Sequence, residues 1–389
     1  MFFKIRRNIF RADALKILNA RYSRCAKDGE SPLRRLLQDA TSFGEAGDAA
    51  AGMGELRWAT QPYAARPPEP APPDVSPKDA TVLLFPGQGS QFVGMGRRLM
   101  DVPTARDLYM LASEIVGWDV ARLCLEGPES ELAVRCQTAV LVTSLAALEA
   151  ARDARPAAVE RAVAAAGFSL GEFAALVFAA ALPLEGALRL VELRAAAMSA
   201  AAAARAGGML TVWLGADARV PQLLHAAREH ARAVTPHPVC EVANYLFPGC
   251  KVLAGDEEAL VFVEREGRKF GVRRSARVRV AGAFHTAMMA RAADAVREGA
   301  ALVEVRAPRV RVVSCVDARA HGDAADVRRR LVRLTTAPVR WEQTLHALYA
   351  RPRPADLPLT LALGPGAALR STLKMVNARA WDASVQIEA

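Results

Sequence analysis

A Gly-x-Ser-x-Gly pentapeptide, Gly167-Phe168-Ser169-Leu170-Gly171, constrains this chain more than any other feature. The run before it, 162–166, is small and apolar and predicts a buried strand. The run after it, 172–181, is rich in Ala, Leu and Phe and predicts a helix. A serine between strand and helix sits on a very tight turn, and the flanking glycines let neighbouring backbone pass close. Such a turn presents the hydroxyl, and the helix starting behind it aims free N–H groups at any negative charge formed there. In a chain with 26 glycines the pentapeptide also arises by chance. Its neighbours must therefore decide between a nucleophile and an ordinary glycine turn.

Upstream, the apolar run 81–85 stops at Pro86-Gly87 and predicts a buried parallel strand. The loop Pro86-Gly87-Gln88-Gly89-Ser90-Gln91 has neither the Gly-Lys-Ser/Thr of a phosphate loop nor a dinucleotide fingerprint. Helices are predicted at 104–116, 138–152 and 185–204. In the last, Arg194 falls among Leu188, Val191 and Met198 at helical spacing. Two readings stay open for it: an arginine snorkelling on a helix rim, or a guanidinium held in a pocket to grip a carboxylate.

Between 206 and 275 the pattern changes to strand 209–214, helix 220–232, strands 239–243 and 251–254, helix 257–269 and a strand from 272 to 280. That β-α-β-β-α-β order predicts a small ferredoxin-like domain inserted into a larger one. His285 follows at a loop-to-helix junction, where position alone leaves a structural or a catalytic role open. Strand 309–313, helix 325–334, a turn at 336–339, helix 341–349, strand 359–363 and helix 367–376 complete the chain. Strands alternate with helices on both sides of the insert, which predicts a large α/β domain over 80–205 and 276–388 with a doubly wound parallel sheet.

Hydrophobic content of 52% and charged content of 24% describe a globular chain. No stretch offers about 20 uncharged apolar residues, so no membrane span is expected. The six cysteines form no Cys-x-x-Cys pair, which argues against a zinc site or a disulfide framework. The net charge of +10 suits an acidic partner. No Lys/Arg run with interleaved aromatics supports nucleic acid binding. Residues 1–27 hold eight Lys/Arg and one acid among spaced apolar residues, the composition of a mitochondrial import leader. Residues 28–79 include a Pro-rich stretch and are expected to form a flexible linker, with one short helix at 31–39.

Four segments coincide in order and spacing with one family: Phe85-Pro86-Gly87-Gln88-Gly89-Ser90-Gln91, Gly167-Phe168-Ser169-Leu170-Gly171-Glu172, Val191-Glu192-Leu193-Arg194 and Phe284-His285. Together they resemble the malonyl-CoA:acyl carrier protein transacylases. Gly364-Pro365-Gly366 fits the family's late loop. Phe168, where bacterial members carry histidine, and the basic leader point to the mitochondrial animal type. The resemblance implies an α/β-hydrolase-like large domain and a location in the mitochondrial matrix. It implies Ser169 as nucleophile and His285 as base, with the backbone N–H groups of Gln88 and Leu170 as oxyanion hole. Arg194 would pair with the malonyl carboxylate, Asn244 would line the pocket, and a backbone carbonyl near 339–340 would orient His285. The implied partners are malonyl-CoA and an acidic, phosphopantetheinylated acyl carrier protein, with no metal and no cofactor. Arg273, Arg274, Arg277 and Arg279 offer the carrier a basic landing zone, or are simply a solvated strand face. Three rivals fit the same residues: a serine esterase, a non-catalytic carrier-protein adaptor, and an acyltransferase of polyketide type.

Overall fold

The computed structural model describes residues 79–280, 282–350 and 357–389. The import leader, the Pro-rich linker and the short helix expected at 31–39 lie outside them. The first third of the described chain runs β1 (Thr81–Phe85), α1 (Pro103–Val116), α2 (Val120–Glu126), α3 (Glu129–Ala154), α4 (Pro156–Glu160), β2 (Ala162–Gly167), α5 (Gly171–Phe178) and α6 (Leu184–Ala204). The middle third runs β3 (Gly207–Leu214), α7 (Val220–Ala231), β4 (Cys240–Phe247), β5 (Cys250–Asp256), α8 (Glu257–Glu266) and β6 (Val272–Arg277). The last third runs α9 (Ala290–Leu302), β7 (Arg311–Val313), α10 (Ala324–Thr336), β8 (Val339–Arg340), α11 (Trp341–Tyr349), β9 (Leu359–Leu363), α12 (Ala368–Val376), α13 (Ala378–Asp382) and β10 (Ser384–Ile387).

The first sheet has the order β10-β9-β1-β2-β7, and every neighbouring pair is parallel. Its central strands β1 and β2 are buried along their whole length. Strands buried on both faces need helices on both sides, and this is what the alternating chain supplies. The carboxyl ends of β1 and β2 point the same way, so the loops after Phe85 and Gly167 emerge side by side.

Helix α3 runs beside this sheet against α1, α5 and α6. It is long and apolar enough to cross a membrane by length and composition. Every residue from Cys136 to Leu148 is nevertheless buried within the protein, so it is the helix at the centre of the core. It starts earlier than the expected 138 because its first turns are polar. Glu129 and Glu131 favour the positive helix start but hide the apolar periodicity that marks a helix in sequence.

The second sheet has the order β6-β3-β5-β4-β8. The pairs β3–β5, β3–β6 and β4–β5 are antiparallel, whereas β4–β8 is parallel. Leu210, Val212, Leu223, Ala227, Leu253, Leu260 and Val263 form a separate small core here. Strand β8 falls where the sequence predicts only a turn. Two residues are too few to show a period, and the pairing Asn244↔Val339 supplies the order. Strands β4 and β5 are longer than expected, and β6 ends at Arg277 rather than at 280. The short α13 and β10 at the chain end were not expected. The side chain of Asn377 caps α13 by accepting from the Ala380 N–H at 3.0 Å.

Candidate active site

Both glycines of the pentapeptide are required by contact. A Cβ on Gly167 would lie 1.8 Å from the backbone carbon of Gly171, and one on Gly171 would lie 2.1 Å from the Phe85 carbonyl oxygen. The turn therefore folds back on itself and against the end of β1. Ser169 adopts a left-handed conformation at φ 51°, and His285 does so at φ 62°. Positive φ in a non-glycine residue is costly and is concentrated at working sites.

Ser169, His285, Arg194, Gln88 and Asn244 all line one cavity of about 350 Å³. Ser169 Oγ lies 2.9 Å from His285 Nε2. His285 Nδ1 lies 2.9 Å from the carbonyl oxygen of Leu334. A carbonyl only accepts, so Nδ1 carries the hydrogen and Nε2 is left to accept from Ser169. The orienting carbonyl is thus that of Leu334, in the last turn of α10, and not one near 339–340. The physical reason lies in Pro338. It has no N–H for the Leu334 carbonyl, and it drives Ala337 out of the helical region, to ψ 150°. The helix ends with that acceptor unclaimed, and His285 takes it. No carboxylate is needed behind the imidazole.

Arg194, on α6, is 1% exposed. Its Nη1 donates to Gln137 Oε1 at 2.5 Å and its Nη2 to Ser169 Oγ at 3.2 Å. Among the described residues no acid pairs with it, and its Nε has no partner. Burial lowers its pKa to about 10, which still leaves it charged at neutral pH. Burial first, and then the Arg194 cation, push His285 down to about 3, although the carbonyls of Leu334 and Ala337 oppose the shift. The imidazole is therefore neutral at physiological pH and able to take a proton from the hydroxyl beside it.

Gln88 sits in the loop after β1 and Leu170 at the N-terminal cap of α5. Among the described residues neither backbone N–H donates a hydrogen bond. Leu170 itself is buried and does not line the cavity. Asn244, 8% exposed on β4, faces the cavity, and its Oδ1 has no partner. Phe168 closes the wall beside Ser169, packed edge-on against the fully buried Trp341 with ring centroids 5.5 Å apart.

Gln137 is missing from the sequence reading. It accepts from Arg194 and donates from Nε2 to Gln88 Oε1 at 3.3 Å, so it links the guanidinium to the β1 loop. A glutamine at the start of the buried run of α3, just before Thr138, was the available signal. Glu172 and His321, both fully buried and bonded to each other, were missed as well. The basic strand face is only partly free. Arg277 pairs with Glu257 and Glu264, and Arg274 stacks over Trp213 at 4.6 Å.

The acyl transferase domain model matches residues 82–355, and the chain belongs to that family. It is 43% identical over 315 residues to the probable malonyl-CoA-acyl carrier protein transacylase, mitochondrial, of Drosophila melanogaster, covering 80% of this chain and 83% of the relative. It is also 43% identical over 304 residues to the mitochondrial malonyl-CoA-acyl carrier protein transacylase of Homo sapiens, covering 77% and 78%. The crystal structure of an acyl-carrier-protein S-malonyltransferase from Burkholderia pseudomallei superposes with a TM-score of 0.70 at 30% identity. It covers 79% of this chain and 96% of that one.

Proposed function

We propose that this protein transfers the malonyl group of malonyl-CoA to the phosphopantetheine thiol of an acyl carrier protein, through a malonyl ester on Ser169, for fatty acid synthesis in the mitochondrial matrix. The observation that supports the substrate is Arg194: a buried cation, with no acid among its partners, beside the nucleophile. A buried charge calls for a counter-charge, and the free carboxylate of a malonyl group supplies one. A neutral acyl group leaves the guanidinium unpaired, which costs on the order of several kcal/mol. A neutral-ester hydrolase has no use for such a residue.

The chemistry follows from the distances. His285 Nε2 takes the Ser169 proton as Oγ attacks the thioester carbonyl. The oxyanion is held by the N–H groups of Gln88 and Leu170. Collapse breaks the C–S bond, and the imidazolium returns the proton to the CoA thiolate. In the second half His285 takes the proton of the carrier thiol, the sulfur attacks the ester, and Ser169 leaves with the proton. Phe168, backed by the buried Trp341, lines this side with hydrocarbon, which keeps water from the waiting ester.

The chain architecture belongs to the same reading: a leader over 1–27, a linker over 28–79, an α/β-hydrolase-like domain over 80–205 and 276–388, and a ferredoxin-like insert over 206–275. The strand order β6-β3-β5-β4 with two crossing helices supports the insert. The composition of the leader and the mitochondrial names of the relatives support the location. The reading is tested by intact mass and peptide mapping after brief exposure to malonyl-CoA. One malonyl group on Ser169 is expected, absent in Ser169→Ala. A label on another residue, or equal labelling by acetyl-CoA, overturns the reading.

A further inference from the structure

A second buried polar cluster adjoins the nucleophile turn, and none of its members lines the cavity. Glu172 Oε1 accepts from His321 Nε2 at 2.8 Å and from Ser314 Oγ at 2.8 Å. Its Oε2 accepts from the Cys315 N–H at 2.8 Å. Glu172, Ser314 and His321 are all completely buried. Burial by itself would raise the Glu172 pKa, but these three donors outweigh it and hold the carboxyl below its usual range. The cluster takes no part in the chemistry set out above.

Its connections run in two directions. Toward the nucleophile, Glu172 lies in the first turn of α5, and its N–H donates to the Ser169 carbonyl at 3.0 Å. Away from it, the loop after β7 hangs on the carboxylate through Ser314, Cys315 and His321. That loop leads into Asp323, whose side chain caps α10, and α10 ends on the Leu334 carbonyl that orients His285. The Cys315 carbonyl also accepts from the Arg340 N–H at 2.7 Å, which ties in β8. Ser169 and His285 are 116 residues apart in the chain, yet one side chain joins the supports of both.

We propose that Glu172 is a positioning residue, whose carboxylate fixes the Ser169 turn against the 314–321 loop and, through α10, against the carbonyl that aims His285. The inference rests on the acyl-serine reading above. A carboxylate suits the place because three donors converge on it and its two oxygens offer about four acceptor sites. An amide of the same size offers one acceptor oxygen. Loosening the clamp lengthens the Ser169–His285 contact without breaking a hydrogen bond of Arg194, whose partners are Gln137 and Ser169. The loss therefore falls on the rate of acylation rather than on substrate binding.

The test is a rapid-mix acylation of the full chain with malonyl-CoA. The fraction of chains labelled and the rate of labelling are read separately. Unsubstituted protein is measured first, and failure to label it counts against the acyl-serine reading, not against the clamp. Glu172→Gln keeps the side-chain volume. It is expected to label the same fraction of chains about tenfold more slowly, with KM for malonyl-CoA changed by less than about twofold, because small misplacements of reacting groups act on rate. A full fraction at the unsubstituted rate overturns the proposal. So does a reduced fraction at an unchanged rate, which is what a merely structural role produces. Ser314→Ala removes one donor from the same carboxylate. It is expected to slow labelling about threefold, and an unchanged rate there overturns the proposal even if Glu172→Gln fails to fold.

Discussion

Two buried charges, Glu172 on α5 and Arg194 on α6, lie near Ser169 and are treated in opposite ways. Glu172 accepts from three donors within 2.8 Å. Arg194 has two neutral acceptors, an Nε without a partner, and among the described residues no acid in ion-pair contact, although the Glu172 carboxylate favours its charge from a distance. A buried charge that is fully bonded needs nothing further, whereas one without an ion-pair partner is costly, and on the proposed reading the malonyl carboxylate supplies that partner. The difference separates a charge that holds the protein's own groups in place from one left open to a ligand, and each half can be tested.

The largest expected effect is on acyl choice. Arg194→Ala should lower malonyl transfer about a hundredfold or more and acetyl transfer by less than about tenfold, since only the first loses a buried ion pair. Parallel assays with the two thioesters check this, and equal losses would break the contrast. The next effect is on stability, with opposite signs at the two sites. Glu172→Met strands three buried donors and should cost about 3–5 kcal/mol. Arg194→Met removes a buried cation that has no ion-pair partner and should stabilise by about 1–3 kcal/mol. Urea unfolding measures both.

The electrostatic consequence for His285 is smaller but has a definite sign. Its folded-state pKa of about 3 lies below the ordinary value of 6.5. Above pH 6.5 both folded and unfolded chains hold it neutral, so it contributes nothing to the pH dependence. As pH falls from 6.5 toward 3 the unfolded chain binds a proton that the folded chain refuses, and stability is lost. His285→Gln should flatten that slope relative to the unsubstituted protein. The acid limb of acylation should likewise lie at least about one unit below 6.5. A limb at 6.5 would mean that Arg194 and burial do not act on the imidazole as described. The smallest effect concerns the helix end. Pro338→Ala lets α10 continue and offers the Leu334 carbonyl a backbone donor, so acylation should slow by about two- to fivefold.

The elements with strong local signals were the easiest to read. The bounds of β1 and of α11 were anticipated without error, because an apolar run ended by Pro-Gly and a clear helical period are local signals. Ser169 was found through its glycines, which steric crowding alone demands. The start of α3 was missed because its first turns face solvent, and β8 because two residues have no period.

Chain order alone was enough to mark a tight Gly-x-Ser-x-Gly turn, a loop beside it, a histidine at a helix start and an arginine on an apolar face, since each is written in a few adjacent residues. It left open whether Arg194 was a rim residue or a pocket cation, and it gave no hint that Glu172 supports the site. Those answers depend on burial and on partners up to 149 residues away. Desolvation and hydrogen-bond geometry exist only once the strands have packed, so only the folded protein decides which charges are finished and which are waiting.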